Sequence, residues 1–226
     1  MKNRFAIIVA GGSGSRMGAS APKQFLPIGE LPILMHTIRR FRSYDADLEI
    51  IVVLPAEQIP VWEALCRQYR FTEPVEVVAG GQTRFQSVRN GLAHIRSDDG
   101  LVAVHDGVRP FVTTEIIRNS YETAERTGSA VTCVALKDSA RLLHADGSSQ
   151  AVDRTRYRLV QTPQTFQLPL FRQAFRADEQ VFFTDCASVV EHAGFPITLI
   201  EGSYDNLKIT TPDDLAFAEQ KLRTPA

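Results

Sequence analysis

The chain has 226 residues, of which 44% are hydrophobic and 23% charged, a composition typical of a globular protein with a substantial core. Its formal net charge of −1 gives no global attraction to nucleic acid or to a membrane surface, so anion binding must be local. No apolar run approaches the ~18 residues of a membrane span. Cys66, Cys133 and Cys186 are odd in number and lie far apart. We therefore expect one reduced, cytoplasmic domain over residues 1–226, without a cysteine metal site.

The first predicted strand, Phe5–Val9, runs into a glycine-rich loop that carries two cations, Arg16 and Lys23. Glycines allow backbone N–H groups to approach a ligand closely, and successive N–H groups form a concave site for anions. Two fixed cations beside such a site favour a polyphosphate over a single carboxylate. An ordinary glycine-rich turn with two solvated cations is the alternative.

This loop matches neither of the two best-known phosphate motifs. A dinucleotide fingerprint that starts at Gly12 requires a third glycine where the chain has Met17. A P-loop requires Gly-Lys-Ser/Thr, whereas Lys23 lies between Pro22 and Gln24. The loop must therefore bind its anion in another way.

Along the rest of the chain, short apolar strands alternate with helical patterns. After the first strand, the predicted strands are Glu49–Leu54, Val75–Val78, Leu101–His105, Ala130–Ala135 and Ile197–Ile200. The predicted helices are Ile33–Arg42, Glu57–Arg70, Arg84–Ile95, Thr114–Thr127 and Asp185–His192, with a last helix that opens at Thr211. This alternation predicts a doubly wound α/β fold, with a mostly parallel, twisted sheet covered by helices on both faces.

Residues 136–160 break the alternation. Polar, extended stretches flank the turn signal Ala145-Asp146-Gly147-Ser148, which predicts a protruding β-hairpin arm. Because an isolated two-stranded arm is marginally stable, we expect it to pack on another surface, such as a second subunit. A plain surface excursion is the alternative.

Polar clusters follow several of the predicted strands, where a doubly wound sheet binds its ligands. The clusters are the glycine-rich loop, GGQTRFQS with Arg84, HDGVRP with Asp106 and Arg109, and YDNLK with Asp205 and Lys208. Asp106 is the natural ligand for Mg²⁺, since an ion that bridges phosphates needs one or two carboxylates. Its neighbour His105 is either a base or a packing histidine.

Six segments carry a resemblance to a known family: AGGSGSRMG…PKQFLP, GGQTRFQSV, HDGVRP, VDR…TPQTF, TDCAS and DNLKITTPDDL. In this order, from Ile7 to Leu222, they resemble the 2-C-methyl-D-erythritol 4-phosphate cytidylyltransferases of the non-mevalonate isoprenoid pathway. The resemblance implies a Rossmann-like nucleotidyltransferase that transfers CMP from CTP to a polyol phosphate, with a divalent cation such as Mg²⁺. It also implies a homodimer formed through the arm, and no nucleic-acid or membrane partner.

The resemblance further implies a role for individual residues. The CTP phosphates and ribose would contact Ala10, Gly11, Gly12, Gly14, Arg16 and Lys23, the cytosine Gly81, Gln82 and Ser87, and the metal Asp106, with Gly107 near the ribose. The acceptor would contact Arg109, Thr162, Thr184, Asp205 and Lys208, and Ser139 and Arg154 would reach the other subunit's acceptor phosphate.

The sequence departs from the family pattern in four places, and the first two departures concern the identity of the acceptor. Gly11 and Gly107-Val108 replace alanines, Gln82 stands where an acidic residue is common, and Ser139 stands where threonine is common. The first two departures resemble the ribitol-5-phosphate cytidylyltransferases, which make CDP-ribitol. Val152-Asp153-Arg154 favours methylerythritol phosphate.

The expected chemistry needs no protein nucleophile, because a phosphate monoester is already anionic near neutral pH. It needs cations that reduce the repulsion between two anions and neutralise the charge on the pentacoordinate phosphorus. Arg16, Lys23 and Lys208 are the predicted catalytic cations. A nucleotide-binding module without turnover is the remaining alternative, but such a module has no need of the metal ligand and all three cations.

Overall fold

The computed structural model describes residues 3–11 and 21–223. Its strands are β1 (Arg4–Val9), β2 (Pro27–Ile28), β3 (Leu31–Pro32), β4 (Glu49–Leu54), β5 (Glu76–Ala79), β6 (Leu101–Asp106), β7 (Ser129–Ala135), β8 (Arg141–Leu143), β9 (Ser149–Ala151), β10 (Arg158–Gln167) and β11 (Leu199–Glu201). Its α-helices are α1 (Ile33–Tyr44), α2 (Ile59–Gln68), α3 (Arg84–His94), α4 (Thr114–Thr127), α5 (Leu168–Ala174), α6 (Cys186–His192) and α7 (Pro212–Arg223). None of these helices is long and apolar enough to cross a membrane.

Seven strands form the central sheet, in the order β11-β7-β10-β6-β1-β4-β5. β1 pairs in parallel with β4 on one side and with β6 on the other. β10 alone is antiparallel to both of its neighbours, β6 and β7. The prediction of a mostly parallel α/β sheet is confirmed.

The side chains of β1 alternate between the two faces of the sheet. Ala6 and Ile8 join the core cluster beneath α1 and α4, whereas Phe5 and Ile7 join the cluster beneath α3, α5 and α6. Because successive side chains on a strand point to opposite faces, an apolar run without polar interruptions belongs to a strand that is covered on both sides. Because the central strands are packed on both faces, their carboxyl ends, which carry the site, are held in place.

β10 was not predicted as a strand, because it lacks an apolar run. Its Gln161, Thr162, Gln164 and Thr165 are buried, and side-chain hydrogen bonds satisfy them. Gln164 Oε1, for example, accepts the backbone N–H groups that open α6. Buried polar groups are stable in a core when they are paired in this way, and a hydrophobicity pattern cannot detect them.

The arm connects β7 to β10 and contains the β8–β9 hairpin, which pairs Arg141 with Ala151 and Leu143 with Ser149. Every residue of β8 and β9 is exposed. The Leu143 side chain is 75% exposed, which is unusual for a leucine in a strand. The arm therefore projects from the sheet with an uncovered apolar surface.

Candidate active site

Two adjoining cavities open at the carboxyl ends of the central strands. The first cavity, of about 270 Å³, lies between the end of β1, the loop before α3 and the end of β6. The second cavity, of about 280 Å³, lies between the end of β6, β10 and the segment before α6. Arg84, Asp106 and Lys208 line both cavities and form the wall that the two cavities share.

Asp106 is the centre of the shared wall. Arg109 Nε lies 3.2 Å and Lys208 Nζ 3.1 Å from its Oδ2. Arg84 Nη2 lies 3.9 Å from its Oδ1. Burial of the carboxyl raises its pKa, but the attraction of Arg84, Lys208 and Arg109 outweighs the burial and holds the pKa well below the usual range. Asp106 is therefore a carboxylate at any physiological pH.

Two further contacts fix the cations around this carboxylate. Arg109 follows β6 directly, and its Nη1 donates to the Asn206 carbonyl at 2.7 Å. Asn206 is fully buried, and its Nδ2 donates to the Thr162 carbonyl at 2.8 Å. The loop that carries Lys208 is thus attached both to β10 and to the turn after β6.

His105 supports Asp106 from inside the sheet. The Asp106 N–H donates to Thr162 Oγ1 at 3.0 Å. Because the Arg109 carbonyl can only accept, the proton of the neutral His105 ring lies on Nε2, and Nδ1 accepts from the Thr162 hydroxyl 3.1 Å away. His105 Nε2–H then donates to the Arg109 carbonyl at 3.2 Å. Burial is the main cause that lowers the pKa of His105 to about 4. A neutral, buried imidazole that lines neither cavity is a packing and hydrogen-bonding residue and not a base.

The loop before α3 forms one wall of the first cavity. Thr83 caps α3 by accepting the Gln86 N–H at 3.1 Å, and Ser87 Oγ accepts the Gly81 N–H at 3.2 Å. A Cβ at Gly81 would overlap the Gln86 side chain, so only glycine fits at this position. The capped helix therefore holds the backbone of Gly81 and Gln82 against the cavity.

Lys23 also lines the first cavity. It begins a short 3-10 helix, Lys23–Phe25, in which Gln24 is fully buried. Gln24 Nε2 donates to the Ala10 carbonyl at 2.8 Å and to Gln58 Oε1 at 2.5 Å. These bonds connect the segment of Lys23 to the end of β1.

Comparisons with known proteins show the family of this chain. A family model for 2-C-methyl-D-erythritol 4-phosphate cytidylyltransferase matches residues 5–224. Proteins of that name are similar to this chain: one from Bacteroides thetaiotaomicron is 54% identical over 92% of this chain and 94% of that protein. One from Porphyromonas gingivalis is 50% identical over 96% of this chain and 97% of that protein. The chain belongs to this family.

Solved structures support the same assignment. The crystal structure of 4-diphosphocytidyl-2C-methyl-D-erythritol synthase from Anaerococcus prevotii matches with a TM-score of 0.84 and 26% identity, over 99% of each chain. That of 2-C-methyl-D-erythritol 4-phosphate cytidylyltransferase from Thermus thermophilus matches with a TM-score of 0.76 and 31% identity, over 99% of this chain and 100% of that chain. This member of the family is a cytidylyltransferase, and the ribitol-5-phosphate alternative is not favoured.

Most of the residues singled out from the sequence lie at the two cavities. The first cavity is lined by Ala10, Gly11, Lys23, Gly81, Gln82, Ser87, Asp106 and Lys208, and the second by Arg109, Thr162 and Thr184 together with Asp106 and Lys208. Arg16, Gly12 and Gly14 lie outside the described residues. The roles of all these residues remain predictions.

Four other predicted residues line neither cavity. Gly107 packs against Ala10 and Leu34 in the core, and a Cβ there would lie 2.9 Å from the Ala10 Cβ and 3.0 Å from Leu34 Cδ1. Asp205 is exposed and forms an ion pair with Lys221 at 2.9 Å. Ser139 and Arg154 lie on the exposed arm, where Arg154 donates to the Lys137 carbonyl. A single chain therefore does not bring these side chains to the site.

Sequence reasoning missed several residues that form the site. Arg84 was noted within a polar cluster but received no role, and Asn206, Gln24 and Gln164 were not considered. For Asp185 a signal existed, because Asp185 and Ser188 have the spacing of a capping box, which the structure confirms at the start of α6. Asn206 carried no such signal, since its importance depends on partners that are distant in sequence.

Proposed function

We propose that this chain transfers CMP from CTP to 2-C-methyl-D-erythritol 4-phosphate, with CTP in the first cavity and the acceptor in the second. The products are 4-diphosphocytidyl-2-C-methyl-D-erythritol and pyrophosphate. The observation that carries this assignment is the wall of Arg84, Asp106 and Lys208 common to both cavities. Two substrates in adjoining cavities must react at the boundary, and that boundary is cationic.

The first cavity suits a nucleoside triphosphate. In this proposal the cytosine faces Gly81, Gln82 and Ser87, where the Gly81 and Gln82 N–H groups donate to the Ser87 and Gln86 side chains. The triphosphate lies towards Lys23 and the predicted glycines and Arg16. Backbone N–H groups beside glycines supply donors at close range, and the cations neutralise the phosphate oxygens.

The reaction is an in-line displacement. An acceptor phosphate oxygen attacks the α-phosphorus of CTP, and the bond to the oxygen bridging the α- and β-phosphates breaks, so that pyrophosphate leaves with the electron pair. The acceptor phosphate is itself the anionic nucleophile, so this step requires no protein nucleophile. Lys208 is the proposed catalytic cation at the boundary, and Lys23 and Arg16 act on the triphosphate side.

A divalent cation fits this site as a partner of the triphosphate. The structure holds no group of three or more acidic, histidine or cysteine ligands within its described residues. Asp106 is one carboxylate, and its Oδ1 lies beyond hydrogen-bond distance of Arg84 Nη2. Mg²⁺ is commonly held by one or two carboxylates and substrate phosphates. In this proposal Asp106 is its protein ligand, and the ion neutralises phosphate charge when bound.

One chain brings only some of the predicted acceptor residues to the second cavity. Arg109, Thr162 and Thr184 lie there, whereas Asp205 lies outside the cavity and is paired with Lys221. Ser139 and Arg154 lie on the arm. We therefore assign the remaining acceptor contacts to the arm of a second subunit, in a cytoplasmic homodimer.

Pyrophosphate release is the direct test of this function. The purified chain with CTP, Mg²⁺ and methylerythritol phosphate should release one pyrophosphate for each CTP consumed, and ribitol 5-phosphate should be a much poorer acceptor. Preference for ribitol 5-phosphate would overturn the choice of acceptor. Binding of CTP without turnover with either acceptor would instead indicate a nucleotide-binding module.

A further inference from the structure

Arg84 lies at the boundary of the two cavities, as the predicted cation Lys208 does. It is the first residue of α3, directly after the cap Thr83, and its side chain lines both cavities. The side chain is 27% exposed, so the guanidinium is partly covered and still accessible. Its position places a positive charge at the boundary between the two substrates.

Within the described part of the chain, the contacts of Arg84 leave most of its donors unused. Nη1 donates to Cys186 Sγ at 3.2 Å. Nη2 faces Asp106 Oδ1 at 3.9 Å, which is an ion pair but too long for a hydrogen bond. A guanidinium has five N–H donors, and a thiol is a weak acceptor. Cys186 therefore orients the side chain without neutralising it.

The three cations around Asp106 are distributed unequally between its two carboxylate oxygens. Arg109 and Lys208 both approach Oδ2 at hydrogen-bond distance, and Arg84 alone faces Oδ1. Asp106 retains two close cations without Arg84, so Arg84 is not required to keep that carboxylate paired. Because Arg84 lines both cavities, its charge lies at their boundary.

We propose that Arg84 is a further catalytic residue, which donates to the phosphoryl group while it is transferred from the first cavity to the second. The inference rests on the proposed function, because it places the α-phosphorus at the common wall. In the transition state negative charge spreads over the non-bridging oxygens, and a fixed guanidinium can donate to two of them at once. Lys208 supplies a compact charge at the same boundary, and Arg84 supplies the fork.

The test uses Arg84→Met, which keeps the length and apolar packing of the side chain, with Arg89→Met as the matched control. Arg89 is an exposed residue of the same helix and lines neither cavity. We expect Arg84→Met to lower kcat by ~10²–10³, with a much smaller change in KM for CTP, because the contact forms mainly in the transition state. Arg89→Met should turn over like the wild type. The thermal midpoints of both variants verify that they are folded.

A second measurement distinguishes a direct contact between Arg84 and the α-phosphate from an indirect, structural role of Arg84. CTP with sulfur in place of a non-bridging α-oxygen is compared with CTP, in the wild type and in Arg84→Met. Loss of a direct contact changes the ratio of the two rates for at least one sulfur diastereomer, whereas loss of support lowers both rates alike. An unchanged ratio for both diastereomers would overturn the proposal.

Arg84→Lys tests the same role if Arg84→Met does not fold. It retains the charge but not the fork, and we expect a kcat loss of roughly tenfold. If Arg84→Lys, or a folded Arg84→Met, has the kcat of the wild type, the catalytic role of Arg84 is contradicted. The proposed function would still stand in that case, provided that the wild type releases pyrophosphate. A wild type that releases no pyrophosphate would contradict the proposed function itself.

Discussion

The site around Asp106 and the arm differ in almost every structural respect. Asp106 is surrounded by three cations and buried strands, and its backbone and its neighbours are hydrogen-bonded through Thr162, His105 and Asn206. The arm is exposed along both strands of its hairpin. The described part of one chain thus assembles the charged centre around Asp106, and we propose that a second subunit supplies the remaining acceptor contacts through its arm.

The largest expected effect concerns the charged centre. Lys208→Met removes the cation closest to Asp106 Oδ2 from the boundary of the two cavities. We expect kcat to fall by ~10²–10³, equivalent to roughly 3–4 kcal/mol, because a positioned donor to the transition state is lost. Steady-state pyrophosphate release measures the change. Arg118→Met, on the exposed face of α4, is the control for loss of one positive charge.

A second prediction concerns the exposed arm. Leu143→Glu places a charge on the most exposed leucine of the hairpin. If the arm packs on a second subunit, the variant should be monomeric by light scattering and its KM for methylerythritol phosphate should rise, since a buried unpaired charge costs several kcal/mol. A wild type that is monomeric at all concentrations would exclude the dimer.

Asn206→Ala should weaken the connection between the centre and the loop of Lys208. The side chain is fully buried and donates to the Thr162 carbonyl, which the variant leaves without this partner. We expect a loss of about 1–3 kcal/mol in the free energy of unfolding, measured in urea, and a lower kcat. An unchanged unfolding free energy would show that the loop is held by other contacts.

The pH dependence of the free energy of unfolding in the acid range tests the ion pairs of Asp106. Burial raises its pKa, but Arg84, Lys208 and Arg109 lower it further, so the folded pKa lies below the unfolded value of about 3.9. Such a group stabilises the fold above about pH 4, and this contribution is lost as the pH falls through and below that value. The difference in unfolding free energy between the wild type and Asp106→Asn should therefore shrink towards low pH. A difference that is constant with pH would contradict the ion pairs.

The smallest effect is expected at the exposed end of the site. The ion pair of Lys221 with Asp205 is solvated, because the Asp205 side chain is 58% exposed. Lys221→Ala should change the free energy of unfolding by only ~0–1 kcal/mol in chemical denaturation. A much larger loss would mean that this pair fastens α7 to the site.

The sequence predicted those parts of the molecule whose signals are local. Thr114–Thr127 was predicted with the bounds that α4 has, because its cap and its helical period lie within the segment itself. The cations and glycines that line the first cavity were found by their position after apolar strands. β10 was missed because its buried glutamines and threonines are stabilised by partners far away in the chain. The contact of Arg84 with Cys186, 102 residues away, was missed for the same reason.

The position of the reacting phosphorus is the central claim, and a crystal structure with a non-hydrolysable CTP analogue and methylerythritol phosphate tests it most directly. We expect the α-phosphorus at the common wall, within reach of Lys208 and Arg84, with the cytosine against Gly81 and the acceptor phosphate in the second cavity. A triphosphate bound away from Asp106, or an acceptor outside the second cavity, would contradict it.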